Sequence, residues 1–333
     1  MKKIIALLLV ICVVLSFAAC GKDNTPAEEK NTELVEMSLV SAIYKDGKPD
    51  RKYEYDERGN EKLYINYDED GEVFIEESSI YDEMDNKIRS VYTADGKVSE
   101  NDFKYTYDKN GNILLKLSKE DGDEYSYEYK YDKIGNIKEF VLKENGIQQN
   151  KTKYSYDDNG NKIKEDMYSR NGALVGSSVY EYDEKGNNTL NVFYYNGEER
   201  QKSVYTYDEK GNLIEDVYYE EGGEGSREKY FYDEKGNQIE WLSYFQGEFS
   251  GRYVYEYNGE NQLIKEYYFE YENDTEAYYT EEYIYNEKGL LVEEIHRNRS
   301  DEKAQKYTYE YITVTVPAYR VETIKESQEI ILL

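Results

Sequence analysis

Tyr182-Asp183-Glu184-Lys185-Gly186-Asn187, YDEKGN, recurs letter for letter at Tyr207–Asn212 and Tyr232–Asn237, 25 residues apart each time. A chain that spells the same residues on a fixed count is built from one structural unit used repeatedly. Relaxed to Y-D-x-x-G-N with substitutions, the pattern begins at Tyr55, Tyr81, Tyr107, Tyr131, Tyr156, Tyr182, Tyr207, Tyr232, Tyr257 and Tyr285, at spacings of 24 to 28 residues. An eleventh start, Tyr307-Thr308-Tyr309-Glu310-Tyr311, carries no turn.

The substitutions define the chemistry of the turn. Its first position is Asp, or Asn at 258 and 286, residues whose side chains fold back on the backbone two residues on. Its fourth position is Gly, or Asp85 and Asn261, the non-glycine types that best tolerate positive φ. Asp183/Gly186, Asp208/Gly211 and Asp233/Gly236 are therefore structural turn residues of a four-residue hairpin loop ending in a left-handed residue. Before each loop Tyr alternates with other residues, as in Tyr127/Tyr129/Tyr131 and Tyr253/Tyr255/Tyr257, which is the strand period. A simple four-residue loop would pair Tyr207 with Asn212 and Tyr205 with Ile214, placing Tyr and Ile on one packed face.

A second turn falls between copies, at Glu69-Asp70-Gly71, Ala94-Asp95-Gly96, Glu120-Asp121-Gly122, Glu144-Asn145-Gly146, Arg170-Asn171-Gly172, Tyr195-Asn196-Gly197, Glu221-Gly222-Gly223 and Phe245-Gln246-Gly247. The fold class is all-β: a repetitive antiparallel hairpin meander of about twenty strands, in a curved or spiral extended sheet. At about 4.8 Å between strands such a sheet would run roughly 90–100 Å unrolled, too long to stay flat. The repeat leaves open whether the sheet closes. Terminal strands are expected to be weaker than central ones.

From about Tyr44 to Val316 the chain resembles RHS/YD-repeat proteins, whose signature is YDxxGR or YDxxGN at intervals of twenty-odd residues. Here the period is nearer 25, and Asn largely replaces the family's Arg. The resemblance implies a long antiparallel sheet that coils or wraps. Residues 317–333 form a C-terminal tail with no toxin-like segment, so the family's toxin-enclosing role is not expected.

The 333 residues include 41 Tyr but one Trp, Trp241, and carry a formal charge of −29. That charge disfavours nucleic acid and electrostatic docking on anionic lipid. Cys12 and Cys20 are the only cysteines, so no disulfide framework holds the body. Lys2 and Lys3 precede the apolar run Ile4–Leu15, and Ser16-Phe17-Ala18-Ala19-Cys20-Gly21 follows. The last segment resembles the bacterial lipobox, with Phe17 where that motif normally has Leu. The resemblance implies a signal peptide over 1–19, cleavage before Cys20 and a lipid anchor on Cys20. A flexible tether over 20–37 and a repeat domain over 38–316 would follow, with the protein held on the extracytoplasmic side of a bacterial membrane. Cleavage leaves 42 − 2 = 40 basic against 71 acidic residues, a net −31.

The leading functional reading is a non-enzymatic, lipid-anchored cell-envelope scaffold that binds a glycan or protein partner. The alternatives are a structural RHS-like shell without its own ligand and, lower, a polysaccharide-processing enzyme. Candidate ligand-surface residues are the Tyr-Tyr pairs read as loops: Tyr194, Tyr195, Tyr218, Tyr219, Tyr267, Tyr268, Tyr278 and Tyr279. The remaining tyrosines read as half-buried strand residues with their hydroxyls at water, Trp241 as core, and His296 as a member of an exposed loop. No catalytic residue and no metal site are assigned. Calcium at the Asp turns is a secondary reading, because each turn offers one Asp where the ion wants six to eight oxygens. Cys20→Ser is expected to release the protein from membranes; membrane partition and palmitate labelling measure this, and a variant that retains both would refute the lipid anchor.

Overall fold

In a computed structural model of the chain, residues 33–120, 122–220, 223–301 and 303–332 are described. The expected signal segment, Cys20 and residues 20–32 of the expected tether lie outside them, as do Asp121, Glu221 and Gly222 of the expected second turns. The strands are β1 (Leu34–Lys45), β2 (Lys48–Tyr55), β3 (Glu61–Tyr67), β4 (Val73–Tyr81), β5 (Lys87–Ala94), β6 (Lys97–Tyr107), β7 (Ile113–Glu120), β8 (Asp123–Tyr131), β9 (Ile137–Glu144), β10 (Ile147–Tyr156) and β11 (Lys162–Tyr168). They continue as β12 (Leu174–Tyr182), β13 (Asn188–Tyr195), β14 (Glu198–Tyr207), β15 (Leu213–Glu220), β16 (Gly223–Tyr232), β17 (Gln238–Phe245), β18 (Glu248–Tyr257), β19 (Leu263–Phe269), β20 (Tyr279–Tyr285), β21 (Leu291–Asn298) and β22 (Gln305–Pro317). A short 3-10 turn, Ala318–Arg320, leads into α1 (Val321–Leu332).

Each strand pairs antiparallel with the next, and β22 pairs with β1 from Leu34↔Pro317 to Lys45↔Tyr307. The meander is therefore a closed 22-stranded barrel. Closure reverses the expectation for the terminal strands. At 12 and 13 residues β1 and β22 are the longest, because their mutual pairing removes both sheet edges. β1 also starts at Leu34, within the stretch expected to be tether.

The YD turn forms as its residues dictate. In YDEKGN at 182–187, Asp183 Oδ1 accepts the amides of Lys185 and Asn187, each at 2.9 Å. Asp183 Oδ2 accepts Asn187 Nδ2 at 2.9 Å, and the Gly186 amide donates to the Asp183 carbonyl at 3.0 Å. These bonds, the Asn187 side chain first, hold the Asp183 carboxyl below its usual range, and Asp208 and Asp233 repeat the pattern. Gly186, Gly211 and Gly236 sit at φ of 86°, 91° and 91°, and Asp85 and Asn261 at the equivalent place both at 64°.

After the loop the register slips. Tyr207 pairs with Leu213 and Tyr205 with Asp216, with a bulge between Thr206 and Tyr207. The expected Tyr205–Ile214 pair does not form, and Ile214 is left 36% exposed. The slip puts a carboxylate beside the tyrosine. At the other ends of the strands, Asp95-Gly96, Asn145-Gly146, Asn196-Gly197 and Gln246-Gly247 are two-residue turns with both residues at positive φ. The second turns expected at Glu69-Asp70-Gly71 and Arg170-Asn171-Gly172 are loops of the YD kind. In them Asp68 and Ser169 hold the first position, with Gly71 and Gly172 donating back at 3.0 and 2.9 Å.

Most YD tyrosines stitch neighbouring repeats; at Tyr107 the hydroxyl is shielded without a partner, and Tyr105 donates to the Lys87 carbonyl at 3.0 Å instead. Tyr182 Oη donates to the Lys162 carbonyl at 2.9 Å, Tyr232 to Leu213 at 2.8 Å, Tyr257 to Gln238 at 2.9 Å and Tyr285 to Leu263 at 2.9 Å. Each acceptor opens the preceding strand. Lys162 is paired with Tyr156 on the β10 side, but the β11–β12 ladder begins only at Lys164↔Val179, so the tyrosine ties down the end of β11 that β12 does not reach. These hydroxyls do not point to water. Tyr rather than Phe is needed because the ring must carry a donor.

The buried core lies at the seam. Leu39, Val40 and Val316 are fully buried, with Ile43, Tyr53, Tyr55 and Ile324 around them. Val321, Ile324, Ile331 and Leu332 give α1 an apolar stripe at helical spacing, with Glu322 favourable in its first turn. Gln328 Nε2 donates to Tyr55 Oη at 3.1 Å and Gln328 Oε1 accepts the Val40 amide at 2.6 Å, so the C-terminal tail is a helix docked on the closure. Gly59 allows the approach: a Cβ there would lie 2.7 Å from Ile324 Cδ1.

Tyr232→Phe is expected to lower stability by about 1–3 kcal/mol, the cost of leaving a shielded carbonyl unpaired. Denaturant unfolding measures this, and an unchanged midpoint would show that water replaces the hydroxyl.

Candidate functional site: an aromatic row among carboxylates

The two faces of the sheet differ in what governs their ionisable groups. On the face carrying the YxY tyrosines, burial raises Tyr205, Tyr230, Tyr255, Tyr283 and Tyr309. On the opposite face, partner hydrogen bonds dominate, as in Lys52–Glu54, Lys130–Glu139 and Arg227–Glu224. We take the tyrosine face, where burial governs the ionisable groups, as the face enclosed by the barrel; on the opposite face Val141, Val192 and Val217 are buried as well.

On that face the register brings Tyr230, Trp241, Tyr253 and Tyr268 side by side across β16–β19. Tyr230 and Trp241 stack at 6.4 Å between ring centroids and 12° between planes, Trp241 and Tyr253 at 4.7 Å and 14°, and Tyr253 and Tyr268 lie 4.8 Å apart. Tyr278 meets Tyr268 edge-on at 6.3 Å. Each pair contributes about 0.5–1.5 kcal/mol beyond its buried area. Trp241 is half-buried in this row rather than in the core, which sits at the seam.

Carboxylates border the row. Glu228 accepts Trp241 Nε1 at 2.6 Å and Ser243 Oγ at 3.0 Å. Asp216, directly across from Glu228, is pushed up to about 6 by burial, and its Oδ1 is shielded without a partner. Glu266 is pushed up to about 7, first by burial and then by the charge of Glu281 opposite it. Glu281 accepts Tyr279 Oη at 2.7 Å and also Tyr283 Oη.

His296 lies in β21, not in an exposed loop. Its Nε2 is 3.1 Å from Glu294 Oε2 and its Nδ1 is 3.7 Å from Glu281 Oε1. Burial lowers its pKa, but the two carboxylates outweigh burial and the net shift is upward.

The Tyr-Tyr pairs are strand residues or flank one, and strand alternation sends the members of each pair to opposite faces. Tyr268 and Tyr279 belong to the enclosed face, and Tyr278 closes the end of the row. Tyr267 lies outside against Glu256 at 3.1 Å, and Tyr219 lies under Lys202. Tyr218 covers Gly225, where a Cβ would come within 3.0 Å of its ring. Tyr194 and Tyr195 end β13, Tyr195 being 47% exposed. Sequence reasoning missed Tyr230, Tyr253, Asp216, Glu228 and Glu266. The usable signal was the one Trp, whose cross-strand neighbours follow once the bulges are known.

At Asp157, Asp183, Asp208 and Asp233 both carboxylate oxygens are occupied by donors of their own loop, whereas Asp68 uses Oδ1 alone. Among the described residues no group of three His, Cys, Asp or Glu side chains is placed to hold a metal ion.

No family model and no curated protein matches the chain. Among solved structures it is similar to the TcdB2–TccC3–TEV structure, at 12% identity and a TM-score of 0.30, covering 86% of this chain and 20% of that one. It is also similar to a porin-like protein from Bacteroides uniformis, at 10% identity and a TM-score of 0.31, covering 72% of this chain and 96% of that one. This chain thus spans about a fifth of the toxin chain's length, and likenesses this distant carry no weight for function.

Glu266 binds its proton more tightly in the barrel than its ordinary value of 4.5 allows, so its contribution to stability is lost as pH rises through about 7. His296, also raised, acts in the same direction. The melting temperature is expected to fall between pH 5.5 and 8, and less so in Glu266→Gln; equal slopes would refute the assignment.

Proposed function

We propose that this protein is a non-enzymatic, lipid-anchored envelope scaffold whose barrel interior binds a glycan. The observation that carries the reading is the stacked row Tyr230–Trp241–Tyr253–Tyr268 beside oriented carboxylates on the enclosed face. Sugar rings present flat C–H faces that rest on aromatic rings, and their hydroxyls donate to carboxylate oxygens. Successive rings across four strands offer successive subsites to one chain, and linked subsites gain by effective concentration. Glu228 suits holding rather than attack, because both its oxygens already accept protein donors. The lipobox-like segment ending at Cys20 supports placement on the extracytoplasmic membrane surface.

A ligand-free structural shell is the second reading, favoured by the repeat-to-repeat stitching, which needs no ligand. The test is titration of residues 21–333 with soluble polysaccharides and cell-wall fragments. Saturable binding is expected, weakened about tenfold or more in Trp241→Ala through loss of one stacking platform and its hydrogen bond to Glu228. Absence of binding across the panel would leave the shell.

A further inference from the structure

Beyond the aromatic row the enclosed face changes character. On β19–β21 three carboxylates, Glu266, Glu281 and Glu294, crowd together. Glu266 is directly opposite Glu281, Glu281 opposite His296, and Glu294 opposite Tyr283. Aromatic rings wall the cluster: Tyr279 is edge-on to His296 at 6.0 Å and Tyr307 is 4.9 Å from it on the other side. The resident cations do not balance the acids. His296 is a single imidazole between two carboxylates. Lys45 shares the face, but its Nζ lies over the Tyr307 ring, 5.6 Å from the centroid, rather than against an acid.

A second observation points outward from this cluster. Glu294 is only 6% exposed; its Oε2 faces His296 and the Tyr309 hydroxyl bonds to the carboxylate, yet its Oε1 has no donor at hydrogen-bonding distance. A buried carboxylate oxygen without a donor costs stability unless a donor arrives. The cluster also has an opening: the side chains of Glu281 and His296 keep 20% and 22% of their surface.

We propose that this acidic, aromatic-walled cluster is a binding site for an organic ammonium group. A protonated amine supplies the missing donor to Glu294, neutralises adjacent like charges and rests against tyrosine faces, the environment in which cation–π attraction is strongest. The Tyr268–Tyr279 pair joins this site to the aromatic row. A glycan lying along the row therefore presents its substituents here, and an amino sugar with a free amine satisfies both parts. Taking the sugar as the source rests on the glycan reading; the ammonium site itself does not.

The experiment titrates residues 21–333 with three probes: a glucosamine hexamer bearing free amines, its N-acetylated counterpart and spermidine. The free-amine hexamer is expected to bind about tenfold or more tighter than the acetylated one, as loss of a charge-assisted bond predicts. Glu294→Gln should erase that preference, and Glu281→Gln serves as the second variant, each checked for folding by its melting curve. Spermidine binding that matches the free-amine hexamer, with the acetylated hexamer silent, would uphold the ammonium site and overturn the glycan source. Equal binding of both hexamers would overturn the ammonium site and leave the glycan reading intact. No binding by any probe to a folded protein would overturn both the ammonium site and the amino-sugar source.

Discussion

The structure depends on the pairing of β1 with β22. A meander of 22 strands left open would expose two rows of unpaired amides and carbonyls and invite edge-to-edge association. Here the two ends of the repeat array meet along eleven residue pairs. The same junction concentrates the few fully buried apolar side chains, with α1 laid across them. Elsewhere the larger contacts run between neighbouring strands, so the sheet is held by its ladders and by side chains one strand apart. Closure converts a one-dimensional array into an object with an inside.

Having an inside gives the tyrosines two tasks. Most of those next to the turns bond the carbonyl that opens the preceding strand, where the following ladder has not yet begun. Those further along form the lining. Phe could line the barrel but could not bridge to that carbonyl, which is a physical reason for 41 Tyr against 9 Phe. Aspartate is likewise bound to the turn by donors of its own loop.

The enclosed face gathers the acids that burial shifts most. The bulge after each turn moves Asp216 to the position opposite Tyr205 and shifts the apolar residue expected there to partial exposure. Carboxylates on this face lose water, so Asp216 and Glu266 hold protons more tightly than free side chains do. Aromatic planes beside shielded acids make a surface suited to ligands with flat apolar faces, hydroxyl donors or positive charge. On the opposite face Lys130 pairs with Glu139 and Arg297 with Glu282, among exposed Ile80, Phe231 and Ile284.

The sequence alone determined the turn, its left-handed fourth residue, the strand period and the all-β meander. Each is settled within about six residues, where Asp and Asn bond chiefly within their own loop. The two-residue turns at Asn145-Gly146 and Asn196-Gly197 were legible for the same reason. The loops at Asp68 and Ser169 were not read as YD turns, because their pattern lacks the closing Asn. What only the tertiary structure decided is whatever depends on partners far along the chain. Closure joins Leu34 to Pro317, and the helix over 321–332 forms against Leu39, Val40 and Tyr55. The bulges choose which side chains share a face. His296 reads as exposed in Ile295-His296-Arg297-Asn298-Arg299 until β20 and β22 place Glu281 and Tyr307 beside it. A period of two says that faces alternate, but the face that closes away from water is chosen by the sheet as a whole.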